Sequence, residues 1–129
     1  MSLRSPLGRV LGNGSAGHGS GQWLAQRVSA VALIPLALWF FYSLLALPAL
    51  DFGAAHTWLA LPRNGFLAAL LVAALTYHSY LGTIEVVEDW VHGTAMKLAL
   101  LLLLRFMYVL IGGASLYAIL QVAFGNQAS

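Results

Sequence analysis

Residues 66–90 read FLAALLVAALTYHSYLGTIEVVEDW. The first ten are wholly apolar, and the whole stretch is long enough for a membrane-spanning helix, which needs about 20 predominantly apolar residues. The second half breaks that pattern with His78, Gly82, Glu85, Glu88 and Asp89. A soluble domain could contain such a segment, but this chain cannot be one. Of its 129 residues 60% are hydrophobic and 8% charged, with no cysteine; mean hydropathy is +0.83. Soluble domains carry about 25% charged residues, and small chains leave a large share of their surface in water. The fold class is therefore an all-α integral membrane protein. Lack of cysteine excludes disulfides, Cys-ligated zinc and a resident iron–sulfur cluster. The net charge is +2, with basic residues scattered rather than clustered, so no nucleic-acid partner is expected.

Two further spans flank the first. Val28 to Leu47 is a twenty-residue apolar run within a helix expected over about 23–47, with Pro35 inside and Pro48 behind it. Membrane helices tolerate such a proline, and a kink is expected there. The third helix is expected over about 98–124 and carries the small patch Gly112-Gly113-Ala114-Ser115, where another helix can come close. With 66–90 these make three transmembrane helices, and 23–129 forms one membrane anchor domain. Residues 48–64 read as a loop, with Asn64 and Gly65 as turn or cap residues, and 91–97 as a short connection. Residues 1–22, glycine- and serine-rich, read as a flexible tail on the membrane surface. They hold no continuous apolar core of the secretory type.

Orientation follows from Lys and Arg in the short flanks. Arg4, Arg9, Arg27 and Lys97 lie on one side and Arg63 alone on the other, with Arg105 inside the third span. The N-terminus and the 91–97 connection are therefore expected in the cytoplasm and the C-terminus outside.

The polar residues of the middle span share one face. With His78 at zero on a helix advancing 100° per residue, Gly82 falls at about 40°, Glu85 at about −20° and Asp89 at about 20°. Asp89 belongs near the cytoplasmic surface. His78 lies about 16 Å deeper, near the middle of a core about 30 Å thick. An ionisable residue at that depth needs a partner. A metal or haem iron is one, and Gly82 would leave a flat ring free of a side chain; a Ser or Thr on a neighbouring helix is the other. Met107, at similar depth, is a conceivable second ligand within the chain, but a second chain supplying another histidine is simpler. Asp89 and Trp90 could handle a quinone head group or form an ordinary interfacial belt with Trp23. The carboxylates at the end of this helix oppose its dipole, and Arg27 or Lys97 is expected to compensate. Arg105 is expected to snorkel or to pair inside the bundle.

The segment His78-Ser-Tyr-Leu-Gly82-Thr-Ile-Glu85-Val-Val-Glu-Asp89-Trp90-Val resembles the signature H-x-x-x-G-x-x-x-V-x-x-D-Y-[VI]. That signature belongs to the small hydrophobic membrane-anchor subunit, of cytochrome b type, of succinate dehydrogenase (respiratory complex II). Gln22-Trp23-Leu-Ala-Gln26-Arg27-Val-Ser29-Ala30 looks like that family's arginine before its first span. Ser5-Pro6-Leu7-Gly8-Arg9-Val10 looks like the opening of bacterial members. The resemblance implies one half of a heterodimeric helix bundle: this chain and a second membrane-anchor subunit share one haem b. It makes His78 an axial ligand, places Gly82 and Arg27 near the haem and its propionates, and puts Asp89 and Trp90 at a ubiquinone site. It implies docking of an iron–sulfur and a flavoprotein subunit on the cytoplasmic face of a bacterial inner membrane, and no catalysis by the anchor itself. Trp90 departs from the family tyrosine: an indole donates a hydrogen bond but cannot relay a proton as a phenol can. An anchor of a fumarate reductase or another quinone oxidoreductase, and a non-redox membrane scaffold or transport subunit, are the alternative readings.

Overall fold

The computed structural model describes residues 16–125, which form four helices: α1 Ala16–Leu45, α2 Phe52–Leu59, α3 Pro62–Trp90 and α4 Thr94–Phe124. Residues 1–15, most of the expected tail, and 126–129 lie outside the described residues. α1, α3 and α4 are each long and apolar enough to cross a membrane. Helices are the form such segments must take, because lipid offers no partner for a backbone N–H or C=O. The three expected spans and the all-α class are borne out, and the chain is a multi-pass membrane protein.

The element ends differ from the sequence expectation in four places. α1 starts at Ala16 rather than Trp23 and continues through Pro35 to Leu45. Glycine in a helix costs about 1 kcal/mol, but extending an existing helix needs no new nucleus. The expected loop contains a short helix, α2. Asp51 caps it, its Oδ1 accepting a hydrogen bond from the Ala54 N–H at 2.8 Å; an aspartate in this position satisfies one of the orphan donors of a first turn. α3 begins at Pro62, with the proline in its first turn, where its missing N–H costs nothing. Asn64 and Gly65 are therefore buried residues of α3 rather than turn residues. Asn64 donates from Nδ2 to the Trp58 carbonyl at 2.9 Å and so ties α2 to α3. Finally, α4 starts at Thr94, leaving only 91–93 between α3 and α4.

α3 is the central member of a single layer. α1 and α4 pack on different faces of it, and their backbones do not come close to each other among the described residues. Trp58 of α2 stacks on Trp39 of α1, ring centroids 5.4 Å apart, and meets Phe40 edge-on at 6.3 Å. Among the described residues only Ala68, Leu81 and Ala123 are buried apolar side chains, while large ones such as Leu45, Tyr42, Phe106 and Leu110 stand open. Two broad apolar faces of the layer are thus left for lipid or for another subunit.

Candidate functional site

The seam between α1 and α3 holds the residues the sequence singles out. Gln26 and Ser29 are three apart on α1, so they share a face, and that face meets His78 and Gly82 of α3. Ser29 is buried, only 6% exposed. Its Oγ donates to the Gln26 carbonyl at 2.9 Å and lies 3.0 Å from His78 Nδ1. A hydroxyl has one proton. With that proton on the Gln26 carbonyl, Oγ would accept from Nδ1–H and Nε2 would carry the lone pair; in the other tautomer Oγ would donate to Nδ1. Nε2 has no hydrogen-bond partner among the described residues, and it is not enclosed by them.

The two partners considered for His78, a neighbouring hydroxyl and a metal, therefore do not exclude each other. The first occupies Nδ1, and the second would need Nε2. A ring nitrogen hydrogen-bonded on one side with a free lone pair on the other is the arrangement found at histidine metal ligands. Among the described residues no three His, Asp or Glu side chains converge, so a bare-ion site is not built here. A haem iron asks only one axial ligand of each flanking helix, and the donor set fits that demand.

Gly82 sits one turn from His78. A Cβ there would lie 3.5 Å from Gln26 Nε2, in ordinary contact. The structure thus sets Gly82 toward α1, beside Gln26. Gln26 Oε1 is buried with no partner among the described residues. A buried unsatisfied acceptor costs about 1–3 kcal/mol, so this seam is polar beyond what packing the chain requires.

Arg27 is exposed, and its guanidinium stands over the Trp23 ring, 5.4 Å from the centroid. This cation–π contact holds the side chain toward the N-terminal end of α1, near the expected headgroup level. Asp89 and Trp90 are exposed at the last turn of α3. The expected compensation of that helix end comes from Lys97, whose Nζ donates to the Glu88 carbonyl at 3.1 Å. It caps the backbone rather than pairing with a carboxylate.

Arg105 is exposed and lines a cleft of about 370 Å³ between α3 and α4 with Tyr77, Tyr80 and Tyr108. Met107 faces a groove between the same helices with Leu75 and Ser79. His56 packs against Phe52 on α2, and His92 is exposed in the turn after α3. His18 falls among residues whose side chains are not described. Sequence reasoning did not assign Ser29 or Gln26 a role at the site. The available signal was two polar residues, three apart, at the start of an apolar span.

Residues 1–112 match the family described as succinate dehydrogenase/fumarate reductase transmembrane subunit. The chain belongs to that family. It is 32% identical, over 84% of its length and 86% of the relative's, to a succinate dehydrogenase hydrophobic membrane anchor subunit of Rickettsia bellii (strain RML369-C). A protein of the same description from Rickettsia conorii (strain ATCC VR-613 / Malish 7) is 27% identical over 80% of this chain and 82% of its own. The resemblance carried by the His78-to-Trp90 segment is thereby borne out. The His78 stripe and the seam that holds it belong to a membrane anchor.

Proposed function

We propose that this chain is the small membrane-anchor subunit of a bacterial succinate:quinone oxidoreductase and shares one haem b with a second anchor subunit. The observation that carries the reading is His78, whose Nδ1 lies 3.0 Å from Ser29 Oγ while Nε2 has no hydrogen-bond partner among the described residues, on a span whose length puts it near mid-membrane. His78 would ligate the iron from this side, with the opposite ligand coming from the partner anchor, because among the described residues the other histidines, His56 on α2 and His92 after α3, lie away from its level. A bound haem supplies a one-electron redox centre within the bilayer. The chain's own residues hold the imidazole, exclude water and close the α1 side of the site. Gly82 leaves the flank of that site without a side chain, and Arg27 lies at the level where propionates would emerge.

Asp89 and Trp90 form the cytoplasmic rim. There an indole N–H can donate to a quinone carbonyl, and a carboxylate in water can exchange protons with bulk. The exposed faces of the layer suit the second anchor and lipid, and the cytoplasmic ends suit the iron–sulfur and flavoprotein subunits. Chemistry on succinate belongs to those soluble subunits, and this chain is the non-catalytic anchor. The excess of Lys and Arg on one side puts the N-terminus in the cytoplasm and the C-terminus in the periplasm.

The test is His78→Ala in the purified complex. Loss of the low-spin b-type spectrum, by conversion to high spin or by loss of haem, is expected. An unchanged low-spin spectrum would overturn the ligand assignment. Asp89→Asn is expected to lower quinone reduction with haem content intact, since it lies about 16 Å from His78 along α3. Trp90→Phe is expected to weaken apparent quinone affinity by about 1 kcal/mol, the usual worth of one hydrogen bond. Unchanged kinetics in that variant would return Trp90 to the interfacial belt.

A further inference from the structure

We infer that Ser29 is a positioning residue for the redox centre: its hydroxyl sets the tautomer and rotation of His78, and so decides which nitrogen faces the iron and how strongly it donates. The inference rests on the reading of His78 as an axial ligand. It adds a residue of another helix to the site, and the chemistry is local.

Two contacts define the device. The Ser29 proton goes to the Gln26 carbonyl of its own helix, at 2.9 Å. This backbone bond turns the oxygen lone pairs outward, and one of them faces His78 Nδ1 at 3.0 Å. With Nε2 as the iron ligand Nδ1 carries the ring proton, and the hydroxyl, whose own proton goes to the Gln26 carbonyl, is its acceptor. A hydrogen bond accepted from Nδ1–H fixes the ring about its χ angles and raises the basicity of Nε2. The small side chain suits a seam where Ser29 is 6% exposed, since water, the competing acceptor, has little access. Without the hydroxyl the imidazole loses the one acceptor that Nδ1–H has among the described residues. The ring is then free to rotate, or to move its proton to Nε2, where it would block ligation.

A more basic Nε2 stabilises ferric over ferrous iron, because the ferric ion carries the larger charge. Removing the acceptor therefore raises the midpoint potential. It also enlarges the fraction of haem that is high-spin or open to an external ligand such as carbon monoxide. Neither change follows from a general loosening of α1, which would lower the yield of complex and leave the spectrum of the surviving haem as it was.

The experiment uses the full complex purified with wild-type chain, Ser29→Ala, Ser29→Thr and His78→Ala, each followed by redox titration and by low-temperature electron paramagnetic resonance. Ser29→Ala is expected to shift the potential upward, change the low-spin g values and increase carbon monoxide binding. Ser29→Thr, which keeps the hydroxyl, is expected to restore wild-type values. If Ser29→Ala fails to assemble, the same shift is read in Ser29→Cys, whose sulfur is a much weaker acceptor. A potential and g values in Ser29→Ala equal to wild type overturn the inference. His78→Ala separates the two layers. Loss of the low-spin signal in it, together with an unaffected Ser29→Ala, leaves His78 as the ligand and removes Ser29. A low-spin signal retained in His78→Ala removes the ligand reading and with it the role given to Ser29.

Discussion

The two seams of the layer are built on different principles. Between α3 and α4 the backbones come close because small residues let them. A Cβ at Gly65 would collide with that of Ala123, and one at Gly112 would stand 2.8 Å from Thr76 Cγ2. A hydrogen-bonded clasp completes this seam: Thr83 Oγ1 donates to the Ser79 carbonyl at 2.8 Å and meets the Tyr108 hydroxyl, also at 2.8 Å. The Tyr108 hydroxyl also reaches the Ser79 carbonyl at 3.4 Å, so either hydroxyl can donate to the other. Every polar atom in the clasp has a partner. Between α1 and α3 the contact runs through buried Ser29 and half-buried His78 and Gln26, and Gln26 Oε1 has no partner among the described residues. In lipid, helices associate by close packing and interhelical hydrogen bonds, since tails are as apolar as leucine. The α3–α4 seam has what that demands. The α1–α3 seam carries polar groups that packing alone does not explain, and the role proposed for His78 would account for that excess.

The largest break in this comparison is Gly65→Leu. The side chain would have to displace Ala123, and overpacking of this kind costs about 1–3 kcal/mol. The expected outcome is a sharply reduced yield of intact complex, read by size-exclusion chromatography of detergent extracts. Gly82→Leu strikes the other seam, near Gln26, with less loss of assembly but with altered haem content in the absorption spectrum of the purified complex. Such a split would confirm that one seam is structural and the other functional.

Gly112→Ala is the finer test of close packing. Its Cβ would press on the Thr76 side chain, closest at the methyl, so that side chain must shift, and a loss of about 1 kcal/mol is expected. Gly113→Ala is its control: nothing lies within 4 Å of a Cβ there, and no loss is expected. Equal thermal stability of the two variants would remove close approach as the basis of the α3–α4 seam. Tyr108→Phe is the smallest step. Thr83 keeps its bond to the Ser79 carbonyl, and interhelical hydrogen bonds in membranes average about 0.6 kcal/mol. A small drop in melting temperature with an unchanged haem spectrum is expected, in contrast to Ser29→Ala.

Composition and apolar run length alone determined the class and the three spans, and set the expected depth of His78, because lipid permits few ways to place a backbone and each helical residue advances by a fixed rise. The His78–Gly82–Asp89 stripe was legible for the same reason: a helix has one period. The sequence also carried the cap that starts α2, in Asp51, and the proline that starts α3, but both lie in a stretch whose polarity reads as loop. Which helix His78 faces was left to tertiary structure. Ser29 lies forty-nine positions away, and no local pattern brings them together. The division of the glycines was likewise settled only by packing: Gly112 lies against Thr76 while its neighbour Gly113 is open. Helical period says which residues share a face, but the rotation of each helix about its own axis is set by the neighbours it packs against.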